Sequence, residues 1–543
     1  MAVPRKESPV RPLSTVLILS IVANCGYASV TVIDRGRLIQ SVSANRLGGF
    51  DRETTAYDFV GNPISNVHLH TTGADTVGIR QEWGRLYDRH GRELSVRHRI
   101  GSGSWMHLSD KDYDAVGRVA TEAVGSVEST YGYDVRSRPV STTSRRYSQW
   151  LSFTPGGNVS RMTWHADVAG EDKRSYTYGY DALSRLTSAE YSEGSGTTVS
   201  SGKYNAWYEY DLNGNVTSLS RRGPVEISMR EKKYGFVDRL SYQYRGNQVT
   251  SITDEAPDVN YLNAFHFSDG DDVGDEYLYD ANGNTVTDLN RGIWDIHYDV
   301  NNRPRSISFA SGAVTRYIYS ADSVKLHTEH IIPGVPPVVA MDGSDQQNAD
   351  ATPSVITTTD YCGRFIYEDG VLDRINLDNG YLSYRDASGN RLTTPQYHFF
   401  LCDHLGNNRM DICAGDASFA RVNHYYPFGL PMYIPGSLSR DTQRWKFGNK
   451  EFDRTSGLDL YDFDARAYDP ATIRFYRPDD LAHKYRDVSS YVYCLNNPLI
   501  NIDKDGKEVY LYATYLPGVQ KTTPSIIDPT FIVKTLMNSA THT

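Results

Sequence analysis

The feature that most constrains the fold is a short unit, Tyr-Asp-x-x-Gly-x-x-apolar, that recurs through the first half of this 543-residue chain. Clear copies begin at Tyr57, Tyr87, Tyr113, Tyr210 and Tyr279, and looser copies begin at Ile33, Tyr133, Tyr180, Tyr234 and Tyr298. Repetition at such short intervals is typical of one small structural unit stacked many times, and not of a single compact core.

Each residue type in the unit fits a tight turn between two antiparallel strands. Tyrosine ends a strand, aspartate hydrogen-bonds the backbone ahead of it, and glycine adopts the positive φ that the turn needs. Asn302 occupies the glycine position in one copy and also tolerates that conformation, whereas Ser137 and Ser184 fit it less well. The unit therefore predicts a mostly β chain of repeated antiparallel hairpins.

Composition adds two constraints. The chain has 40 tyrosines against 17 phenylalanines, which suits a sheet surface packed on one side, with hydroxyl groups that find water or another partner. The formal net charge is −10. A nucleic-acid partner is not expected, because binding nucleic acid requires clustered positive charge.

Residues 1–28 have the layout of a signal peptide. Basic residues precede an apolar run from Leu13 to Ala23, and the small residues Gly26 and Ala28 suit cleavage after position 28. The run is too short for a membrane span. The layout predicts a protein that is secreted or held at the cell envelope or surface. Two alternatives remain. Cys25 is a lipid-modified residue, or the sequence begins within a longer chain and the apolar run is a buried strand.

An ordered series of motifs lies between Arg444 and Gly506. It includes Gly-Asn-Lys-Glu-Phe-Asp, Ser-Gly-Leu-Asp-Leu-Tyr-Asp, Ala-Arg-Ala-Tyr-Asp-Pro and Asn-Asn-Pro, and Asp-His-Leu-Gly-Asn precedes it at 403–407. The series resembles the RHS repeat-associated core domain, and the recurring unit resembles the YD repeat of the same family. So many motifs in one order are far more specific than any single one. The signature positions are Asp403, His404, Gly406, Asn496, Asn497 and Pro498.

The resemblance implies hairpins that spiral into a partial or closed hollow shell, with the core domain at its C-terminal end. The expected divisions are YD-type hairpins at 29–330, a flexible linker or insertion at 331–358, the core domain at 359–506 and a variable tail at 507–543. Family shells are usually built from more repeats, so we expect an open shell or one that closes by oligomerisation.

The resemblance also implies a function. Such proteins are non-enzymatic scaffolds that enclose, carry or display a C-terminal effector segment in bacterial cell–cell interaction or toxin delivery. The expected partners are the chain's own C-terminal segment or effector and, through exposed tyrosines, cell-surface glycans or neighbouring cells. Ordinary cross-strand packing is the alternative role for the tyrosines. The tail 507–543 is short for a folded domain, which predicts a lost or truncated effector or a stub inside the shell.

The resemblance also implies one chemistry. In several family members two aspartates of the core domain cut the chain after a segment that ends Asp-Pro-x-Gly, as two carboxylates sharing one proton can. The matching positions are Asp479 and Asp503, but Asp480 and Lys504 replace the prolines that normally come next. Lys504 would favour a charged carboxylate on its neighbour. The alternative is that both aspartates open turns in a core that does not cut.

The remaining motifs favour structural roles. Asp403 and His404 have no accompanying serine or cysteine nucleophile motif, which favours a packed histidine that stabilises a turn. Asp211-x-Asn213-x-Asn215 begins like a calcium loop but lacks its later glycine and glutamate. No cysteine and histidine spacing suits zinc. The sequence therefore predicts no metal site and no cofactor.

Overall fold

The computed structural model describes residues 16–21, 28–34, 36–195, 198–227, 232–257, 259, 265–270, 274–334, 354–386, 389–432 and 443–511. These residues form 39 β-strands and five short 3₁₀ helices, with no α-helix among them. No helix in these ranges has the length and apolar character needed to cross a membrane. The prediction of a mostly β chain is confirmed. The chain divides into two compact units, Met1–Asp112 and Tyr113–Thr543.

The first unit is an antiparallel meander in which each strand pairs with the next in sequence. Its strands are β1 (Val16–Ile21), β2 (Ala28–Asp34), β3 (Arg37–Ala44), β4 (Phe50–Tyr57), β5 (Pro63–His70), β6 (Ile79–Tyr87), β7 (Glu93–Ile100) and β8 (Met106–Tyr113). Part of the N-terminal apolar run is thus a strand. Cys25 lies outside the described residues, and export stays a prediction.

The second unit contains two longer meanders. The first comprises β9 (Val119–Val124), β10 (Val127–Tyr133), β11 (Pro139–Ser144), β12 (Tyr147–Phe153), β13 (Val159–Ala166), β14 (Arg174–Tyr180), β15 (Leu186–Ser195), β16 (Thr198–Ser201), β17 (Ala206–Tyr210), β18 (Val216–Ile227), β19 (Lys232–Arg245) and β20 (Gln248–Asp254). The second is a 13-stranded sheet of β21 (Tyr277–Tyr279), β22 (Thr285–Asp288), β23 (Ile293–Tyr298), β24 (Pro304–Phe309), β25 (Val314–Tyr319), β26 (Lys325–Ile332), β27 (Val355–Cys362), β28 (Phe365–Glu368), β29 (Val371–Leu377), β30 (Gly380–Arg385), β31 (Arg391–Cys402), β32 (Asn408–Cys413) and β33 (Asp416–Val422).

The last part of the second unit, residues 443–511, is called the C-terminal segment below. It contains β34 (Glu451–Asp453), β35 (Leu460–Asp462), β36 (Ala467–Asp469), β37 (Arg474–Phe475), β38 (Asn501–Asp503) and β39 (Val509–Leu511). The 3₁₀ helices are Leu289–Arg291, Phe447–Asn449, Thr455–Gly457, Ala482–Lys484 and Cys494–Asn496. Of the predicted linker, residues 335–353 lie outside the described ranges, as do residues 512–543 of the predicted tail.

The recurring unit forms the predicted hairpin turn in most of its copies. The looser copy at Tyr234 lies inside β19, where pairing with β18 keeps the chain extended, so the turn predicted there is wrong. In the copy at 210–216, the Asp211 amide donates to the carbonyl of Asn215 (2.9 Å), and the Gly214 amide donates back to Asp211 (3.1 Å). One carboxylate oxygen of Asp211 accepts the Asn215 amide (2.8 Å), and the other accepts its side chain (2.8 Å). Aspartate suits this position because a single side chain satisfies several turn donors at once.

The glycine position of the turn has positive φ whether glycine, asparagine or serine occupies it. Glycine holds it at Gly214 and Gly283, and Asn302 holds it with φ 57°. Ser137 and Ser184, which the sequence fits less well, adopt the same conformation with φ 62° and 63°. The turn is therefore kept even where the favoured residue is lost, because the aspartate contacts and the strand pairing fix the backbone around it.

The tyrosine of the unit links neighbouring hairpins. Its hydroxyl donates to the backbone carbonyl two residues after the glycine position of the preceding hairpin. The pairs are Tyr57 to Leu38, Tyr87 to Pro63, Tyr133 to Val119, Tyr180 to Val159, Tyr210 to Leu186 and Tyr298 to Thr285, at 2.7–3.1 Å. Tyr244, which is not among the copies found in the sequence, makes the same bond to Val216 (2.8 Å). These hydroxyls are engaged within the sheet, which favours a structural role for the tyrosines named, and glycan binding stays a prediction.

The core of the second unit lies where the C-terminal segment packs against the meanders. Leu458 and Leu460 join Ile293 and Ile296 of β23 in one buried cluster. Within the segment itself, the rings of Tyr468 and Tyr493 stack with centroids 4.3 Å apart. Each such fully buried side chain contributes roughly 1.5–3 kcal/mol. The segment is thus part of the folded unit and not an appendage.

Candidate functional site in the C-terminal segment

The Asn-Asn-Pro signature docks the C-terminal segment on the hairpin turns. The side-chain amide of Asn496 donates to the carbonyl of Gly214 (2.7 Å). The side chain of Asn497 donates to the carbonyl of Ser184 (2.8 Å) and to the side-chain oxygen of Asn158 (3.0 Å). All these groups lie in turns of different hairpins, so two adjacent asparagines hold three turns together.

The backbone around this signature is unusual. Cys494, Leu495 and Asn496 all have positive φ, between 48° and 58°. The side chain of Asn501 donates to the carbonyl of Cys494 (3.0 Å), which stabilises the tight path. Pro498 is buried directly after the two asparagines. This conformation turns both amide groups toward the hairpins, so the signature residues have a positioning role here.

The upstream signature is another copy of the hairpin turn. The Asp403 amide donates to the carbonyl of Asn407 (3.0 Å), and Gly406 has φ 83°. The Asp403 carboxylate also accepts from Arg409 (2.8 Å). His404 lies within hydrogen-bond distance of the carbonyl of Leu499 (3.1 Å), next to Pro498. His404 is thus a packed histidine that joins this turn to the C-terminal segment, and a role in stabilising the turn itself stays a prediction.

Neither side chain beside this turn is suited to nucleophilic catalysis. Burial lowers the pKa of His404, which keeps the imidazole neutral. Burial also raises the pKa of the adjacent Cys402 thiol to about 12, so little of the reactive thiolate forms near neutral pH.

The two aspartates singled out from the sequence converge on one arginine. The Nη2 atom of Arg466 donates to Oδ2 of Asp479 (2.9 Å) and to Oδ2 of Asp503 (3.3 Å). All three side chains are nearly inaccessible, with 1 % of Arg466, 7 % of Asp479 and 1 % of Asp503 exposed. Two carboxylates 24 positions apart in the chain therefore share a single buried cation.

The environment makes both carboxyl groups weaker acids. Burial raises the pKa of Asp503 to about 6, against the attraction of Arg466, and the charge of Asp479 adds to the increase. Burial likewise raises the pKa of Asp479, and Arg466 again opposes the shift. Asp503 can therefore be protonated in mildly acidic solution, where an ordinary aspartate is ionised. Acid–base work by a carboxyl pair needs one protonated and one ionised member.

The peptide predicted to be cut contacts one member of this pair, Asp503. Strands β38 and β39 form a hairpin, and the loop between them contains Gly506 and Lys507. Oδ1 of Asp503 accepts the amides of Gly506 (2.7 Å) and Lys507 (3.2 Å). Gly506 has φ 72°, and a Cβ there would lie 2.8 Å from the carbonyl oxygen of Phe463. No larger residue fits this path without moving the backbone.

Both aspartates also open turns, as the alternative from the sequence proposed. The Leu481 amide donates to Oδ1 of Asp479 (2.7 Å), and the Asp505 amide donates to Oδ1 of Asp503 (3.3 Å). In each case the donor is two residues further along the chain. The turn-opening role and the contact with Arg466 use different oxygen atoms of each carboxylate, so one does not exclude the other.

Asp480 and Lys504, the two residues that replace the family's prolines, each have a defined contact. Asp480 accepts two bonds from Arg477, at 2.6 and 3.1 Å. The ammonium of Lys504 lies over the ring of Tyr510, 5.8 Å from its centroid. Burial raises the pKa of Asp503, and the cation that contacts its carboxylate is Arg466, so the expected effect of Lys504 on Asp503 stays a prediction.

Arg466 is the residue that the sequence reasoning missed. It lies in the Ala-Arg-Ala-Tyr-Asp-Pro motif, whose pattern by itself indicates only a strand that ends in a turn. Besides the aspartates, it donates to the carbonyl of Ser490 (3.1 Å), and its guanidinium lies 3.6 Å from the ring centroid of Phe475. An arginine between two short apolar residues was the available signal.

Known structures share the fold of this chain over most of its length. The crystal structure of a TcdB2-TccC3-Cdc42 complex matches 91% of this chain with a TM-score of 0.59 and 15% identity. The crystal structure of TcdB2-TccC3 without its hypervariable C-terminal region has a TM-score of 0.58 and 15% sequence identity, and it also matches 91% of this chain. The structure of a Photorhabdus luminescens Tc holotoxin pore with mutated TccC3 matches 92% of this chain, with a TM-score of 0.61 and 16% sequence identity. The chain has an RHS-type fold.

The chain spans about a quarter of these proteins, covering 27% of the first two and 23% of the third. One curated relative, Salivary gland surface protein 1 of Aedes aegypti, is 34% identical over 112 residues, which is 21% of this chain and 3% of that protein. No protein-family model matches the sequence. Similarity at 15–16% identity establishes the RHS-type fold, and function is argued from the site.

Proposed function

We propose that this protein is an RHS-type scaffold that carries its own C-terminal segment and the tail beyond it, in the manner of a toxin-delivery component. The observation behind the proposal is the docking of Asn496 and Asn497 on Gly214, Ser184 and Asn158. These contacts fix the chain just before the predicted tail begins at Lys507. A scaffold that delivers a passenger needs such an anchor at the point where the passenger emerges.

Buried arginines of the meanders hold the same segment by its backbone. Arg221 pairs with Asp238 (2.6 Å) and donates to the carbonyls of Pro470 (3.1 Å) and Ala471 (2.7 Å). Only 1 % of its side chain is exposed. A fully buried guanidinium is tolerated because each of these donors has an acceptor, and removing them would leave an uncompensated charge. The sheet is therefore built to receive this segment.

A second arginine acts in the same way. Arg291 donates to Asp469 (2.7 Å) and to the carbonyl of Leu458 (3.0 Å), and pairs with Asp288 of its own turn. The three contacts join β22 and its turn to two places in the C-terminal segment. Together with Arg221, this residue supports a scaffold role that depends on the segment as a fixed internal ligand.

The solved relatives supply the context of the proposal. One is named for a hypervariable C-terminal region and another as part of a holotoxin pore. By analogy, the variable stretch here is 507–543, and the passenger is an effector or its remnant. Export to the envelope or exterior, bacterial origin, and closure of the shell through another copy belong to the same proposal. Export is supported by the N-terminal sequence alone.

The scaffold role is tested by cleaving the chain before the C-terminal segment and measuring whether the cleaved fragment stays bound. A specific protease site is inserted between Met432 and Gln443 of the full chain, and the protein is cleaved under native conditions. We expect the C-terminal fragment to co-elute with the remainder in gel filtration, and to dissociate more readily when Asn496 and Asn497 are both changed to alanine. Immediate dissociation of the unmodified fragment would refute the proposal.

Self-cleavage beside Gly506 is a second candidate function, favoured by the convergence of Asp479 and Asp503 on Arg466. The ionised carboxylate would take a proton from a water molecule that adds to the Gly506 carbonyl carbon. The protonated carboxyl group would supply the proton to the departing Lys507 nitrogen. The products are a chain ending in the Gly506 carboxylate and a fragment starting with the Lys507 amine, so atoms and charge balance.

Intact mass after incubation at mildly acidic and neutral pH separates the two functions. Self-cleavage predicts a mass loss equal to residues 507–543, abolished by Asp503→Asn and by Asp479→Asn. Asp487→Asn, at an exposed position between the two aspartates in the sequence, is the control and should leave cleavage intact. A full-length mass under every condition would remove this candidate and leave the non-enzymatic scaffold unaffected.

A further inference from the structure

A cluster of one carboxylate and two imidazoles lies in the first unit, far along the chain from the aspartate pair. Nε2 of His68 lies 2.8 Å from Oδ1 of Asp51, and Nδ1 of His70 lies 2.7 Å from the same oxygen. These three ligand atoms lie within 4.8 Å of one another. His68 is 6 % and His70 1 % exposed, so two buried histidines share one carboxylate oxygen.

Sheet register places these residues together. His68 and His70 are two residues apart on β5, so their side chains share one face of the sheet. Asp51 on β4 is the direct cross-strand partner of His70, and Glu53 is the partner of His68. The backbone pairing of β4 and β5 therefore presets the geometry before any side-chain adjustment.

Neighbouring polar groups orient the three side chains. The Asn45 side chain donates to Oδ2, the other carboxylate oxygen of Asp51 (3.1 Å), and to the carbonyl of Thr71 (2.8 Å). Oε1 of Glu53 lies 3.8 Å from Nδ1 of His68, the ring nitrogen that faces away from Asp51. A carboxylate behind a histidine and an amide behind a carboxylate are the outer contacts that metal ligands typically have.

The next strand provides an independent sign of a missing partner. Gln81 on β6 is the register partner of His68, and its side chain is fully buried. Its Oε1 is 3.1 Å from His98, whereas its Nε2 has no hydrogen-bond partner within the part of the chain that the structure describes. A buried amide of this kind costs stability unless an acceptor, such as a metal-bound water on this face, completes it.

We propose that Asp51, His68 and His70 form a zinc site. Two imidazoles and one carboxylate suit zinc, which binds nitrogen and oxygen in tetrahedral geometry and leaves a fourth position for water when the protein supplies three ligands. Calcium and magnesium are disfavoured because they prefer oxygen ligands. Tetrahedral zinc would need ligand atoms about 3.3 Å apart, so the atoms move outward by about 0.5 Å as zinc enters.

Zinc binding to the full-length protein without a histidine tag tests the proposal. The protein competes for Zn²⁺ with a chromophoric chelator of known affinity, and we expect one zinc ion bound per chain. Asp51→Asn and His68→Gln should each weaken binding by at least about tenfold. His107→Gln is the matched control, because His107 is an exposed histidine on β8 of the same unit. Equal zinc affinity in all four proteins, or no binding to the wild type, would overturn the site.

A second measurement does not depend on variants that fold poorly. The X-ray absorption spectrum of the zinc-loaded wild type should show scattering from two imidazoles and a light oxygen shell. A spectrum dominated by sulfur, or one without imidazole scattering, would assign zinc to other residues and overturn the proposal.

Discussion

The side-chain amide of Asn496 donates to the backbone carbonyl of Gly214, 2.7 Å away and 282 residues earlier in the chain. The contact joins the most specific motif of the C-terminal segment to the tip of a repeated hairpin. Gly214 matches it closely, because a Cβ there would lie 3.1 Å from the Asn496 amide nitrogen. The two motifs are therefore complementary. Asn496 provides the hydrogen-bond donor, and Gly214 provides a carbonyl acceptor and has no Cβ that would crowd the donor.

Asn496→Ala should destabilise the second unit by about 1–3 kcal/mol, because a buried carbonyl loses its donor. The effect is measured as a shift in the midpoint of denaturant unfolding. Asn301→Ala, at an exposed turn position, is the control and should change stability little. Equal effects of the two changes would contradict the docking role of Asn496.

Two tyrosines of β17 allow a hydrogen-bonded hydroxyl to be compared with one that has no hydrogen-bond partner among the described residues. Tyr210→Phe should cost about 1 kcal/mol, because the bond to the Leu186 carbonyl is lost. Tyr208→Phe should be neutral or stabilising, since its buried hydroxyl has no hydrogen-bond partner among the described residues. Thermal unfolding of both variants is compared. The opposite order would show that the hydroxyl bond between hairpins does not stabilise the sheet.

Replacing serine at the glycine position of a turn should stabilise the protein. Ser137 has φ 62°, and Ser137→Gly removes a Cβ from a conformation that costs other residues about 1 kcal/mol. Ser129→Gly, within strand β10, should instead destabilise by about 0.5–1 kcal/mol. The two changes have opposite expected signs in the same hairpin, and a destabilising Ser137→Gly would contradict the strain.

The dependence of stability on pH should reveal Asp503. Its pKa is raised from 3.8 to about 6 in the folded state, so between these values the folded protein binds more protons than the unfolded chain. Its contribution to stability is therefore full below about pH 4 and falls by about 3 kcal/mol as the pH rises to about 6.

Asp503→Asn should remove this slope, measured as the difference in unfolding free energy between pH 4 and pH 6. Asp479→Asn, which removes the neighbouring negative charge, should move the window to lower pH. Parallel pH profiles for wild type and Asp503→Asn would show that Asp503 titrates normally.

The hairpins could be predicted from the sequence because their chemistry is local. Asp211, Gly214 and Asn215 lie within five positions, and their contacts close inside that span. The same holds for Asp403 and Asn407, whose motif is a family signature and forms the same turn. Turn residues therefore determine both the fold class and the spacing of strands.

The candidate sites could not be predicted from local sequence patterns alone, because their residues lie far apart in the sequence. Asp479 and Asp503 were found by resemblance, but nothing near them in sequence pointed to Arg466 as their shared partner. Likewise, the spacing of His68 and His70 fits no familiar zinc motif, and Asp51 joins them only because β4 and β5 pair in one register.

The sequence alone determined that this protein is an array of antiparallel hairpins, because each aspartate and glycine settles its own turn with groups a few residues away. Only the tertiary structure decided which turns receive the asparagines, which arginine lies between the aspartates, and which histidines meet a carboxylate. Those choices depend on strand register and on the path of the C-terminal segment, which many weak long-range contacts fix together.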